Sequence, residues 1–134
     1  MGPEGTWRNE LGSTMTLAAT PDGLLNGDYE SNVGHVTGRY ALAGRFDATP
    51  PADAHAAVGW VVVWNNASGN QHSVTTWCGR YDPEADLLHA TWLLTAEGPE
   101  HTGWCSTRMG QDVFSRVAAP VAATPDGGRT RAFQ

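Results

Sequence analysis

The sequence predicts an all-β protein, an eight-stranded antiparallel up-and-down β-barrel, on three observations. No long apolar period of 3.6 residues appears, because Gly or Pro interrupts nearly every window long enough for a helix. About eight short alternating segments recur instead, separated by turns rich in Gly, Pro, Asp and Asn. Consecutive hairpins of that number close on themselves and so remove the exposed edges an open sheet would carry. An immunoglobulin-like sandwich is the competing architecture, but no Cys-Trp-Cys pattern of suitable spacing supports it.

The first strand is short, Thr6 to Asn9, and runs into Leu11-Gly12-Ser13, where Gly12 permits a tight bend. Thr14 to Thr20 is the second. Pro21-Asp22-Gly23 closes it with a strong hairpin signal, since Pro fixes φ and Gly accepts a positive one. Leu24 to Glu30 returns, with Leu25, Gly27 and Tyr29 on one side, and Ser31 to Thr37 is a polar loop. Gly38 to Phe46 alternates Arg39, Ala41, Ala43 and Arg45 against Tyr40, Leu42, Gly44 and Phe46, a half-buried strand. After a Pro-rich loop come Ala56 to Asn65 and Gln71 to Tyr81, joined by the five residues Asn66 to Asn70. Leu87 to Thr95 follows, with Ala90, Trp92 and Leu94 on one face, and the last strand is Gln111 to Val117.

The pair around Trp60 to Trp77 is the most informative. One face carries Trp60, Val62 and Trp64, then Ser73, Thr75 and Trp77; the other carries Val61 and Val63, then Val74, Thr76 and Cys78. Both faces are apolar or small, which predicts burial on both. The first face mixes indoles with hydroxyls, as a ligand pocket requires: flat walls for contact area and a few polar groups to orient what lies between them.

At 134 residues the chain is the size of one domain. A formal net charge of −6, with the eight basic residues scattered, leaves no stripe able to track a phosphate backbone, so no nucleic acid is expected as a partner. No membrane is expected either, since no apolar run approaches the ~18 residues of a helical span. Met1-Gly2-Pro3-Glu4-Gly5 has neither the basic nor the apolar region of a secretion signal. Cys78 and Cys105 form no CxxC or metal-type spacing and read as two independent thiols, Cys78 facing outwards towards a subunit interface. A disulfide is the alternative, and requires Cα atoms within ~7 Å.

His72-Ser73 with Asp112 supplies the residue types of a hydrolase triad, and Cys78 is a formal nucleophile. Neighbours on a strand point to opposite faces, however, so His72 cannot serve Ser73. With no nucleophile elbow, phosphate loop or metal-spaced cluster, no catalysis, metal or cofactor is expected. A lipocalin-like barrel holding some other small amphiphile remains the alternative binding function.

One set of residues carries a closer resemblance: Gly5-Thr6-Trp7, Asn9, Leu11-Gly12-Ser13-Thr14, Gly27, Tyr29-Glu30-Ser31, Val33-Gly34, Gly59-Trp60, Trp64, His72-Ser73, Thr75-Thr76-Trp77, Trp92-Leu93-Leu94-Thr95, Trp104, Ser106-Thr107 and Asp112. From about Gly5 to Val117 this pattern closely resembles the avidin family of biotin-binding proteins, and its bacterial, streptavidin-like members in particular. The resemblance implies that Asn9, Ser13 and Tyr29 donate to the ureido oxygen of biotin, and that Asp112 and Ser31 accept from the ureido N–H groups. It further implies Thr75 against the ring sulfur, Ser73 at the valeryl carboxylate, and Trp64, Trp77, Trp92 and Leu94 as walls. Trp104 is similar to the tryptophan that crosses to a neighbouring subunit, which implies a homotetramer, and by the same analogy the protein is expected to be secreted. His35 departs from the pattern. It stands where the family has an asparagine near the carboxylate end, a contact made mainly through a backbone N–H. It reads as a solvated loop histidine, with pH dependence as the alternative.

The expected organisation is an N-terminal extension over residues 1–4, the barrel over 5–117 and a flexible tail over 118–134, rich in Ala, Pro and Gly. Folding of that tail back towards a pocket mouth is the alternative to disorder.

Overall fold

A computed structural model describes residues 2–33, 37–98 and 106–117 of the chain. Its strands are β1 (Gly5–Asn9), β2 (Thr14–Ala19), β3 (Leu24–Glu30), β4 (Tyr40–Phe46), β5 (Ala56–Asn66), β6 (Gly69–Asp82), β7 (Leu87–Ala96) and β8 (Thr107–Arg116). Each pairs antiparallel with its sequence neighbour, and β1 pairs with β8 to close the barrel as predicted. That closing seam is short, running only over Trp7↔Arg116, Arg8↔Ser115 and Asn9↔Phe114.

Alternation decides what faces inwards. Trp7, Met15, Leu17, Leu25, Tyr29, Tyr40, Leu42, Val58, Trp60, Val62, Leu88 and Phe114 are all buried inside the barrel. Removing that much apolar surface from water, at roughly 25 cal/mol per Å², is the main drive for closure. Trp7 and Trp60 are core residues, as expected. The Trp7 Nε1–H donates to the Pro3 carbonyl at 2.8 Å, and the Arg116 guanidinium lies 4.4 Å from a Trp7 ring centroid. Arg116 also clasps Asp86 through Nε and Nη2, at 2.8 and 3.0 Å, and donates to the carbonyls of Gly2 and Glu4. Pro3 is fully buried, so residues 2–4 pack onto this end of the barrel.

Several strand ends shift by a residue or two from the sequence reading, and two differences have the larger consequence. β5 and β6 continue to Asn66↔Gly69, leaving a two-residue connection in place of five. The Asn66 side chain explains this: its Oδ1 accepts from the Ser68 and Gly69 amides, and its Nδ2 donates to the carbonyls of Thr37 and Arg39. β8 begins at Thr107 rather than Gln111, because Thr107 to Gly110 pair with Thr95 to Trp92 of β7.

A third expectation is corrected. The outward face of β5–β8 is not buried within one chain: Val63 is 52% exposed, Leu93 48%, Met109 68% and Val113 41%. The apolarity read from the sequence is real, but only the inward face meets the core.

Candidate functional site

The β1–β2 and β5–β6 turns lie at one end of the barrel, beside the end of β3 and the start of β4, the end of β7 and the start of β8, and there the interior opens into a cavity of about 130 Å³. It is lined by Asn9, Leu11, Ser13, Tyr29, Ser31, Val33, Trp64, Thr75, Trp77, Trp92, Leu94 and Asp112. Ten of these were expected from the sequence. A wider open cleft of about 450 Å³ lies at the other end, between Pro3, Pro21, Phe46 and Pro83. None of the expected ligand residues lines it, so chemistry rather than volume selects the smaller cavity.

The β1–β2 turn sets the polar side. Gly12 sits at φ +88°, a conformation costly for any residue with a Cβ, and its N–H donates to the Asn9 carbonyl at 3.1 Å. Asn9 Oδ1 accepts from the Leu11 and Ser13 amides at 3.0 and 2.9 Å. This fixes the amide orientation: the oxygen is occupied by the turn, and Nδ2 is left to donate. Ser13 Oγ accepts the Asn32 N–H at 2.9 Å, so its own proton is left to donate, in the ligand-free protein to the Tyr29 hydroxyl. Tyr29, on the neighbouring strand β3 beside this turn, is held by ring contacts with Trp77 at 4.9 Å and Trp64 at 5.7 Å. Burial first, and then the Asp112 charge, pushes the Tyr29 hydroxyl well above its ordinary range, so it remains a donor. Asn9, Ser13 and Tyr29 thus present three donors to one wall.

Opposite in chemistry stands Asp112, 5% exposed, whose Oδ2 accepts the Trp77 Nε1–H at 3.0 Å. Burial raises its pKa above the usual carboxylate value and Glu10 adds to the rise, while hydrogen bonds from Trp77 and Asn9 oppose it. The Ser31 hydroxyl accepts from the Val33 amide at 3.2 Å and faces the Val33 carbonyl at 3.1 Å, a local turn that leaves a lone pair for a further donor.

The indoles form the walls, each fixed by a separate contact. The β5–β6 register shifts between Val63 and Asn65, and such an irregularity re-aims the side chain at Trp64. Its Nε1–H donates to Thr75 Oγ1 at 2.8 Å. Trp77 stacks on Trp60 at 5.6 Å and 14°, so Trp60 is the floor beneath the wall.

Ser73 is half-buried on the same face of β6 but does not line the cavity. His35, Trp104, Cys105 and the tail from Ala118 lie outside the described residues. The tail's root does not: the Val117 N–H bonds the Thr6 carbonyl at the barrel end away from the cavity. Cys78 is exposed, as expected. His72 is exposed too, and Glu97 is its ion-pair partner at 3.8 Å. Among the described residues no cluster of His, Cys, Asp or Glu could hold a metal ion.

The sequence reading did not count Leu11 and Val33 among the ligand residues, although both line the mouth, and it missed Gly110. A Cβ on Gly110 would stand 2.4 Å from Trp92 Cζ2, so the bare backbone of β8 is what lets the Trp92 ring lie in place. Gly110→Ala is expected to displace Trp92, lowering stability by about 1–3 kcal/mol and weakening ligand binding. Thermal melts and titrations check this; both unchanged would show that Trp92 yields freely.

Fold and site together define a closed β-barrel of the kind that holds a small ligand, with a small preformed cavity that carries aromatic walls and converging hydrogen-bonding groups. The chain belongs to the Avidin family, which it matches over residues 1–117, a family of non-catalytic binding proteins. It is 30% identical to Afifavidin of Afifella pfennigii over 125 residues, covering 90% of this chain and 72% of that protein. It is 25% identical to Hoefavidin of Hoeflea phototrophica over 122 residues, covering 87% and 73%. Fibropellin-1 of Strongylocentrotus purpuratus is 28% identical over 131 residues, but this chain spans only 12% of it.

Proposed function

We propose that this protein binds and sequesters biotin without turning it over, as a secreted homotetramer. The observation that carries the reading is the pairing of a three-donor wall, Asn9, Ser13 and Tyr29, with an acceptor pair, Ser31 and Asp112. A cyclic urea needs that arrangement: one carbonyl oxygen that accepts and two N–H groups that donate. Trp64, Trp77, Trp92 and Leu94 supply apolar walls for a compact bicyclic ring, and Thr75 lies deep among them. Because the polar groups are already held by the turn and by one another, little ordering opposes binding. The carboxylate tail would then point towards the mouth, where Ser73 and His35 are assigned by family resemblance. Trp104 is assigned on the same ground to a neighbouring subunit's pocket. Association itself is supported by the exposed apolar face on β5, β7 and β8, a feature that isolated soluble domains seldom leave uncovered.

The test is the melting temperature with and without excess biotin at fixed protein concentration. A ligand that binds only the folded state, at 1,000 times its dissociation constant, adds about 4 kcal/mol. A large upward shift is expected. No shift with biotin but a clear one with an unrelated amphiphile, such as a fatty acid, would replace the reading by the lipocalin-like one.

A further inference from the structure

We propose that Glu10 is a positioning residue of the pocket. Its carboxylate continues the barrel seam where the backbone ladder stops, tying the β1–β2 turn to the strand that carries Asp112. This rests on the biotin reading for its consequence, though not for its geometry.

The β1–β8 register ends at Asn9↔Phe114. One step further the partner of Val113 would be residue 10, but the backbone has already turned: the Gly12 N–H bonds back to the Asn9 carbonyl. The Val113 amide, facing the seam, would have no strand to pair with. Glu10 Oε1 accepts it at 3.1 Å. A side chain thus replaces the missing rung, and an ionised carboxylate makes a stronger acceptor than a carbonyl.

The placement matters because of what lies on either side. Asn9 precedes Glu10, Ser13 closes the same turn, and Asp112 precedes Val113. Donors for one side of the ligand and the acceptor for the other therefore meet across the seam, with no backbone rung beyond Asn9 to hold their spacing. A shift of 1 Å in such a constellation is enough to spoil simultaneous hydrogen bonds. The same carboxylate also carries a charge near Asp112. Glu10 is the titratable group that opposes the ionisation of Asp112, and the charges of Asp112 and Glu10 both act in turn on the Tyr29 hydroxyl. One residue therefore has two separable effects, a bond that positions and a charge that makes the acceptor easier to protonate.

Two substitutions separate them. Glu10→Gln keeps an oxygen for the Val113 amide and removes the charge; Glu10→Ala removes both. Biotin dissociation is expected to be roughly 5- to 30-fold faster in Glu10→Ala, with Gln restoring most of the parental rate. In both variants the acidic midpoint at which biotin binding is lost should move to lower pH, a shift that a merely structural role would not produce. Equal dissociation rates for Glu10→Ala and the parent would overturn the proposal, as would equally fast dissociation in the Ala and Gln variants. Amide exchange at Val113 in the ligand-free protein reads the bond whatever the pocket holds. It should quicken in Glu10→Ala but not in Glu10→Gln, and no change in Ala would overturn the proposal on its own. A parent chain that does not respond to biotin would instead sink the biotin reading, leaving the exchange result to decide the role of Glu10.

Discussion

Replacing Asp112 with alanine is expected to weaken biotin binding by roughly 30- to 1,000-fold, because a buried charged acceptor is worth about 2–4 kcal/mol to a donor that has left water to meet it. The variant should remain folded. Asp112 is held in the ligand-free protein above its ordinary pKa, chiefly by burial, so its ionised form opposes stability. The sign follows from linkage. A carboxylate whose folded pKa lies above the unfolded one, about 3.9, destabilises the fold as pH rises from the unfolded value through the folded one. Alanine removes that cost, while the Trp77 Nε1–H, which donates to Asp112 Oδ2, loses its partner. The two effects oppose each other, so the ligand-free melting temperature should change little while the biotin-induced shift shrinks sharply. In the parent protein, affinity should fall as acid protonates Asp112, and in the alanine variant that acidic limb should be flat. Asn is a poor rescue: if its oxygen faces Trp77, its NH₂ faces the ligand's N–H, donor against donor. Titration calorimetry of the three proteins across acidic pH checks this, and parental affinity in the alanine variant would remove Asp112 from the site.

Much of the barrel was legible because its signals are local. Alternation over Tyr40 to Phe46, the turn residues Pro21-Asp22-Gly23 and the interruption of every helical window each act within a few residues, and strands and connections fall where those signals put them. The cavity residues were legible for a different reason, the fixed spacing of a family pattern. What escaped depends on partners distant in sequence. β8 starts early because β7 pairs with it, and neither Arg108 nor Met109 announces that pairing. Glu10 reads as one more exposed loop carboxylate until the seam brings Val113, far along the chain, against it. Gly110 falls just before the last strand as the sequence predicts it, and its role shows only when Trp92 is found lying over it. The period of two, finally, says which residues share a face but not what covers that face. The outward residues of β5 and β6 therefore looked like core when they are surface in a single chain.

That uncovered surface leads to the second large effect. Val63 on β5, Leu93 on β7, and Met109 and Val113 on β8 are exposed apolar side chains on adjoining outward-facing strands, and Leu93 and Met109 are register partners. Polar side chains there would have cost the barrel nothing, since none of these residues touches the interior. Under the proposed assembly these residues would be buried against another copy, at roughly 25 cal/mol for each Å² covered. Placing glutamate at both Leu93 and Met109 sets two like charges side by side, and in a symmetric assembly sets them against their equivalents. Leaving unpaired charges buried costs several kcal/mol each, more than one apolar contact can offset. The double variant Leu93→Glu/Met109→Glu is therefore expected to run as a monomer in light scattering, where the parent is expected to run as the proposed tetramer. Because both side chains point away from the cavity, the monomer should keep its barrel by circular dichroism and still respond to biotin. Its dissociation of biotin should be faster if, as proposed, a neighbouring subunit's Trp104 closes the pocket. A tetrameric double variant would place the interface elsewhere, and a monomeric one with unchanged dissociation would take Trp104 out of the site.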